Sequence, residues 1–190
     1  VAVTVFDQVE PNPTDAIVDA GGQLARAEGC DLVVAVGGGS AMDTAKGIAV
    51  SATHPEPIAD YLKPSDRLQP TSATLPVLAV TTTSGTSSEL TPFAVITVQA
   101  VKQKSAIRSE HIYPRVAIVD PELTLTCPPP VTASTGIDVL CHAIEGFISE
   151  SATPLTDHLA ERAIALVAQA LPAAVADGGN LELREQLALA

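Results

Sequence analysis

Basic residues are scarce in this chain of 190 residues. Lysine and arginine together number 10 against 22 aspartates and glutamates, and the formal net charge is −12. Binding to nucleic-acid phosphates or to an anionic membrane requires a basic patch on the protein surface. The composition therefore argues against both kinds of partner, and we expect a soluble, cytoplasmic protein.

Cysteines and long apolar stretches are also few. The three cysteines, Cys30, Cys127 and Cys141, are odd in number and show no CxxC spacing, so neither a disulfide framework nor a zinc ribbon is expected. No charged stretch followed by an apolar one opens the chain, and no apolar run approaches the ~20 residues of a spanning helix. The first residue is not methionine and the only methionine is Met42, which suggests an internal part of a longer protein.

Two regions of the chain differ in character. Up to residue 127, short β-branched runs alternate with helical stretches, and this alternation predicts a largely parallel sheet covered by helices. The runs lie at residues 3–6, 32–36, 76–80, 93–97 and 116–119, and helices are predicted over 14–28 and 41–50. Residues 128–190 contain only helix signals: a helix over 131–149, one capped by Thr153 with Pro154 in its first turn, and one from Leu181. We therefore predict an α/β domain over residues 1–127 and the start of an all-α domain over residues 128–190.

A glycine turn joins a buried strand to a helix at residues 32–46, LVVAVGGGSAMDTAK. Glycines let a ligand approach the backbone, and the free N–H groups at the start of a helix favour a phosphate. The turn is neither the dinucleotide fingerprint, since Met42 occupies the position of a third glycine, nor a Walker A loop. It is either a phosphate-binding site or a tight turn that needs glycine for its geometry.

A hydroxyl-rich segment, TTTSGTSSE at residues 81–89, directly follows a predicted strand. The carboxyl ends of parallel strands are where α/β proteins bind ligands, and dense hydroxyls can bond ribose and phosphate oxygens. A solvated Ser/Thr loop is the alternative interpretation. Lys104 is likewise either a single cation for a ribose or phosphate, or a solvated lysine.

Asp138 and His142 lie four residues apart in a predicted helix, so their side chains share one face. An apolar stripe at helical spacing predicts that this helix is largely buried. The stripe consists of Ile137, Leu140, Cys141, Ile144 and Ile148. A buried carboxylate and imidazole must be hydrogen-bonded, ion-paired or bound to a metal. Spacing alone leaves these alternatives open, and satisfied pairs are commoner than metal sites in protein interiors.

Four motifs occur together in the order seen in one protein family. They are GGGSAMDTAK at residues 37–46, TTSGTSSE at 82–89, PRVAIVDP at 114–121 and TGIDVLCHAIE at 135–145. Through these motifs the chain resembles the iron-containing, or group III, alcohol dehydrogenases, and among them the lactaldehyde reductase and propanediol dehydrogenase branches. The resemblance begins at FDQVEPNPT, residues 6–14, and runs to the last residue.

The resemblance implies a dehydroquinate-synthase-like fold, in which an N-terminal α/β nucleotide-binding domain is followed by a C-terminal helical domain. It also implies two cofactors, NAD or NADP and a divalent metal, either Fe²⁺ or Zn²⁺. Sites with one carboxylate and several histidines suit both metals. Compared with the family, the chain is truncated at both ends: it lacks the first βα unit and most of the helical domain. The family's other two metal ligands, which are histidines, lie in the missing helical part.

Individual roles in the family carry over onto matching positions of this chain. Asp138 and His142 match the first two metal ligands. The remaining matches concern the cofactor: Gly38, Gly39 and Ser40 at the pyrophosphate with Asp43 beside them, Asn12 at the cofactor's edge, Thr82, Thr83, Thr86 and Thr91 along the nicotinamide and phosphate region, and Lys104 on the ribose.

The function implied by the resemblance is the interconversion of a small primary alcohol or diol and its aldehyde or ketone. The metal would act as a Lewis acid, and no general acid or base is assigned. A homo-oligomer is expected for the full-length protein. Two alternatives stay open: a metal-independent reductase or dehydroquinate synthase-like lyase on the same fold, and a non-catalytic nucleotide-binding fragment. The isolated chain is expected to be inactive, because it holds only two of the metal ligands.

Overall fold

The computed structural model of the chain describes residues 1–63, 65 and 67–190. The chain folds into two compact units. Unit 1 comprises Val1–Val80 and Ser88–Ile118, and unit 2 comprises Thr81–Ser87 and Val119–Ala190. The domain boundary expected near residue 127 stays a prediction. In the structure, the short segment 81–87 groups with the helices that follow residue 119.

Unit 1 combines two helices with strands in two separate sheets. The helices are α1 (Asp15–Ala27) and α2 (Gly39–Ser51). The strands are β1 (Val33–Gly37), β2 (Val77–Thr81), β3 (Phe93–Val98), β4 (Gln103–Arg108) and β5 (Val116–Val119), of which β2 and β5 each end one residue inside unit 2. Short 3-10 helices lie at Ile58–Tyr61, Ser88–Leu90 and Glu110–Ile112.

The first sheet has the strand order β1-β2-β5. Two backbone hydrogen bonds join the beginnings of neighbouring strands: Val33 N–H donates to the Pro76 carbonyl (3.0 Å), and Arg115 N–H donates to the Val77 carbonyl (2.7 Å). Beginnings lie beside beginnings only when strands run in the same direction. This sheet is therefore parallel, as the βα alternation predicts.

Two of the predicted strands behave differently. The run at 93–97 forms β3, which pairs with β4 as an antiparallel hairpin from Phe93↔Arg108 to Val98↔Gln103 and does not join the parallel sheet. The four-residue turn between them, with Lys102 at φ 52°, allows this local pairing. The run at 3–6 is not a strand, because no strand in the described part of the chain pairs with it, and Val3 and Val5 are exposed.

The main core of unit 1 lies between the two helices and the β3–β4 hairpin. Thr14 caps α1 by accepting a hydrogen bond from Ile17 N–H, as the predicted start of this helix requires. Gly47 lets α2 lie close to α1 and β3, since a Cβ at this position would lie 2.7 Å from Val18 Cγ1 and 3.0 Å from Ile96 Cδ1. The core cluster consists of Val18, Val50, Ile58, Tyr61, Leu62, Ala94, Ile96, Val98, Ile107 and Ile112.

Unit 2 is built from three helices: α3 (Pro129–Phe147), α4 (Pro154–Ala176) and α5 (Leu181–Ala188). A further 3-10 helix at Pro121–Thr124 precedes them. The predicted cap of α4 is confirmed, because Thr153 and Thr156 form a capping box and Pro154 opens the helix. All three helices begin within two residues of the predicted positions.

The buried face of α3 is not the predicted one. Its buried residues are the smaller Thr132, Gly136, Val139 and Ala143. Ile137, Ile144 and Ile148 of the predicted stripe are 51%, 44% and 73% exposed. The small residues form the buried face because they let α3 pack closely on α4. The expectation of a largely buried helix was therefore wrong.

Helix α4 is long and apolar enough, by length and composition, to cross a membrane. No stretch of this kind was expected from the sequence. One such helix is weak evidence, because the core helix of a globular protein passes the same test. In this structure α4 supplies Ala160, Ala163, Val167, Ala170 and Leu171 to the core of unit 2, while Leu155 and Leu159 on the same helix are exposed.

Two glycines of α3 should respond in opposite ways to the same substitution. A Cβ at Gly136 would collide with the side chain of Leu171, whereas a Cβ at Gly146 meets nothing within 4 Å. We predict that Gly136→Ala lowers the free energy of unfolding by about 1–3 kcal/mol through overpacking. Gly146→Ala should leave it unchanged or raise it by up to about 1 kcal/mol through helix propensity.

Urea unfolding of the 190-residue chain, followed by circular dichroism, measures both effects. Gly146→Ala is the control for the general effect of replacing a glycine in this helix. Equal stability of the two variants would show that α3 and α4 do not pack at Gly136.

Candidate functional site

The glycine turn forms an uncapped helix start at the end of a strand. Gly37 ends β1 with φ 152°, and a Cβ at this position would lie 2.6 Å from Ala41 Cβ, so the turn requires glycine here. Gly38 is the N-cap of α2 and Gly39 is its first residue, and no side chain caps the helix. The first N–H groups of α2 therefore have no side-chain acceptor, and together with the helix dipole they suit an anion.

Three predicted cofactor residues that are distant in sequence meet beside this turn. Asn12 N–H donates a hydrogen bond to Ser40 Oγ (3.3 Å), and Lys104 Nζ donates to Asn12 Oδ1 (2.6 Å). Asn12 adopts a left-handed backbone conformation with φ 59°. Asparagine tolerates this conformation better than most residues, which explains its use at this position. The structure thus places one cation and one hydroxyl next to the start of α2.

Asp43 and Thr91 also come together, through a residue that the sequence analysis did not single out. Lys46 is fully buried, and its ammonium donates to the carbonyl oxygens of Ser88 (2.6 Å), Thr91 (2.9 Å) and Phe93 (2.7 Å). The Asp43 carboxylate accepts from Ser88 Oγ (2.6 Å) and from Val95 N–H (3.0 Å). Both charged side chains therefore bond groups of the segment from residue 88 to residue 95. The available signal was a lysine three residues after an aspartate on a helix that has no other charged residue.

Burial governs the ionisation of this pair. It lowers the pKa of Lys46 to about 8, while the negative charges of Asp43 and Glu89 act in the opposite direction. Burial also raises the pKa of Asp43, against the effect of its hydrogen bonds from Ser88 and Val95 and of the Lys46 charge. At pH 7 the ammonium form of Lys46 is still the dominant one, since this pH lies below its pKa.

In unit 2, the hydroxyl-rich loop 81–87 packs against α3. Gly85, with φ 153°, lies directly on the Thr135 carbonyl, and a side chain at this position would collide with that backbone. Thr81 Oγ1 donates to the Thr83 carbonyl (2.8 Å). Thr82, Thr83 and Thr86 are half-buried on this loop, and Thr83 Oγ1 is a buried atom without a hydrogen-bond partner. A buried hydroxyl of this kind is suited to a ligand, because leaving it unpaired is costly.

Asp138 and His142 point the same way on α3, as their spacing predicts. His142 Nε2 lies 3.7 Å from Asp138 Oδ1, and the two side chains are 50% and 44% exposed. This distance is too long for a hydrogen bond but within the range of an ion pair, and the half-exposed side chains do not form an interior pair. Its oxygen and nitrogen atoms can both reach a common ion. In the described part of the chain, no group of three or more His, Cys, Asp or Glu could hold a metal.

A cavity of about 300 Å³ in unit 2 adjoins both features. The loop contributes Gly85 and Ser87 to its wall, and α3 contributes His142. The rest of the lining is mainly small and apolar, and includes Val139, Ala143 and Ala163. The hydroxyl loop and one half of the predicted metal pair therefore share a cavity within one unit. The other predicted cofactor residues, Asn12, Gly38, Gly39, Ser40, Asp43, Thr91 and Lys104, belong to unit 1.

Comparisons with known proteins agree along the whole chain. A relative from Citrobacter freundii, 1,3-propanediol dehydrogenase, is 46% identical over 188 residues, which is 99% of this chain and 48% of the relative. The NAD-dependent methanol dehydrogenase of Bacillus methanolicus is 44% identical over 188 residues, 99% of this chain and 49% of the relative. The chain thus spans about half the length of the curated relatives it matches.

A solved structure gives the same result for the fold. The crystal structure of sulfoacetaldehyde reductase from Bifidobacterium kashiwanohense in complex with NAD+ matches with a TM-score of 0.93 at 45% identity, covering 98% of this chain and 49% of that one. An α/β part followed by a helical part is therefore confirmed as the fold class.

Family sequence models match two consecutive regions. The model of iron-containing alcohol dehydrogenase matches residues 1–121, and the model of the C-terminal part of the Fe-containing alcohol dehydrogenase family matches residues 132–190. These regions contain the four motifs on which the resemblance rests, and the chain therefore belongs to the iron-containing alcohol dehydrogenase family.

Proposed function

We propose that this chain is part of a metal-dependent, NAD(P)-linked oxidoreductase that interconverts a small primary alcohol or diol and its aldehyde or ketone. The parent enzyme, in this proposal, is a polypeptide of the relatives' length that contains these 190 residues and assembles as a homo-oligomer. The observation that carries the proposal is the cavity of unit 2, where His142 and the hydroxyl loop line the same space. Hydride transfer requires the nicotinamide ring to lie close to the substrate carbon that bears the oxygen.

The residues of unit 1 suit the phosphate and ribose end of NAD(P). The uncapped N–H groups at Gly39 and Ser40 would bond the pyrophosphate, and the absence of side chains at Gly38 and Gly39 leaves room for its approach. Lys104, positioned by Asn12, would bond the ribose. Both NAD and NADP fit these groups, and the relative from Bacillus methanolicus, described as NAD-dependent, favours NAD.

The residues of the hydroxyl loop suit the nicotinamide end. Thr83 would use its unpaired, buried Oγ1 to orient the cofactor, with Thr82 and Thr86 on the same loop beside it. The absence of a side chain at Gly85 lets the loop lie directly on α3, and this brings its hydroxyls close to the helix that carries His142. Such an arrangement is the basis of catalysis by orientation.

The donor atoms of Asp138 and His142 fit a divalent metal, and Fe²⁺ is the ion we favour, with Zn²⁺ as the second choice. Bound there, the metal supplies a Lewis acid for the substrate oxygen and NAD(P) supplies or accepts the hydride. The small apolar side chains of the cavity leave space for a short carbon chain. Relatives described as methanol and 1,3-propanediol dehydrogenases support a short alcohol.

The metal assignment predicts a coupled loss in the parent enzyme. His142→Ala should lower the bound metal and kcat together, the latter by at least about 100-fold, because a lost ligand weakens both affinity and Lewis acidity. His158→Ala is the matched control, since His158 is exposed on α4. Metal analysis and steady-state kinetics on the same preparations test this. Full metal content and full rate in His142→Ala would instead favour the metal-independent reductase.

The cofactor assignment predicts a selective loss of nucleotide affinity. Gly39→Val places a side chain at the start of α2, where the pyrophosphate would approach, so we expect the dissociation constant of NADH to rise at least 10-fold. Gly179→Val is the control, because Gly179 follows α4 outside the cavity lining and a Cβ there would meet only Asp177 Oδ1, at 3.7 Å. NADH titration by fluorescence, with melting temperatures measured in parallel, separates binding from stability. Equal affinities at equal melting temperatures would mean that the glycines serve only the turn.

The 190-residue chain by itself should not turn over an alcohol. Two protein ligands leave most of the coordination positions of a metal to water, so the ion should bind weakly. Exposed apolar residues on α3 and α4, such as Ile137, Ile144 and Leu155, should also promote association. We predict no NADH formation from ethanol or 1,3-propanediol with added Fe²⁺ or Zn²⁺. Steady turnover with a stoichiometric, tightly bound metal would contradict this.

A further inference from the structure

Lys46 connects helix α2 to the segment from Ser88 to Phe93 through side-chain hydrogen bonds. Its three N–H donors match three short contacts, to the carbonyl oxygens of Ser88, Thr91 and Phe93. The Ser88 hydroxyl lies 2.9 Å from Nζ and donates to Asp43, which links the two charged side chains. We call this group of five residues, Asp43, Lys46, Ser88, Thr91 and Phe93, the Lys46 anchor.

The anchored segment leads directly into the β3–β4 hairpin, which is attached to the glycine turn a second time. Thr97 N–H donates to the Pro13 carbonyl (2.8 Å), and Thr97 is paired with Lys104 across the hairpin. Lys104 in turn bonds Asn12, whose N–H bonds Ser40 near the start of α2. These contacts form a closed ring, which runs from α2 through the anchor to the hairpin and back through Asn12 to α2.

We propose that Lys46 is a positioning residue for the nucleotide cofactor: it fixes where the hairpin, and with it Lys104, stands relative to the glycine turn. The inference rests on the proposed function, since it assumes that Ser40 and Lys104 bind NAD(P). Lys46 itself is buried and does not reach the cofactor. Its effect on binding passes through the segment from Ser88 to Phe93.

The chemistry of the anchor explains why a lysine is needed. Three backbone carbonyls converge on one point inside the unit, and only a group with three donors satisfies all of them. A methionine of similar length fills the space without a donor. The carbonyls of Thr91 and Phe93 then lose the Lys46 ammonium, and the nearby Asp43 carboxylate loses its attraction to that charge. The segment would then move to find other donors, and the hairpin would move with it.

The experiment compares three variants of the parent enzyme at a temperature where each is fully folded. Lys46→Met should raise the dissociation constant of NADH at least 10-fold, and Ser88→Ala, which removes only the bridging hydroxyl, about 3-fold. In kinetics the KM for NAD should rise by similar factors, while the KM for the alcohol stays within about 2-fold of its original value. Arg184→Met is the matched control, because Arg184 is another buried cation bonded to uncharged acceptors, Thr132 Oγ1 and the carbonyls of Cys127 and Gly178.

The control separates positioning from general stability. Arg184→Met should lower the melting temperature and leave the NADH dissociation constant unchanged. If Lys46→Met does not fold, Ser88→Ala decides the question alone. Unchanged NADH affinity in the folded Lys46 and Ser88 variants overturns the inference and leaves the proposed function intact. Failure of the unaltered parent enzyme to bind either NADH or NADPH overturns the proposed function, and this inference with it.

Discussion

A buried ammonium group organises unit 1. Transferring a charge out of water costs several kcal/mol even after relaxation, so Lys46 is tolerated only because its donors are fully satisfied. The three carbonyls depend on Lys46 in turn. Among the described residues, no other single group donates to the carbonyls of Ser88, Thr91 and Phe93 together. Together with the apolar core beside it, this interaction fixes the entry into β3 relative to α2, and the hairpin that follows carries Lys104.

In unit 2, the position of α3 depends on close packing. Its small residues, among them Gly136 and Ala143, are buried, while several of its larger apolar residues, such as Ile137 and Ile144, are exposed. Asp138 and His142 lie beside this contact face, half exposed, and keep their polar atoms accessible. A tight contact between backbones thus holds in place the helix that carries the predicted metal pair. The two units therefore use different physical means to fix their candidate ligand groups.

Much of this could be predicted from local signals. The caps at Thr14 and Thr153 follow from hydrogen-bonding chemistry within a few residues, and the structure has both. The β3–β4 hairpin was missed because β4, with its exposed Gln103 and Lys104, lacks the β-branched alternation of a typical strand. The buried face of α3 was predicted wrongly because this helix carries small and large apolar residues on different faces, and periodicity alone does not say which face finds a partner.

The tight contact of Gly85 with the Thr135 carbonyl has a mechanical consequence. No space for a side chain remains between the two backbones, so any substitution of Gly85 would have to push loop 81–87 away from α3. Such a displacement would shift Thr82, Thr83 and Thr86 relative to the helix that carries His142. The spacing between the loop hydroxyls and the imidazole therefore depends on a residue that itself bears no functional group.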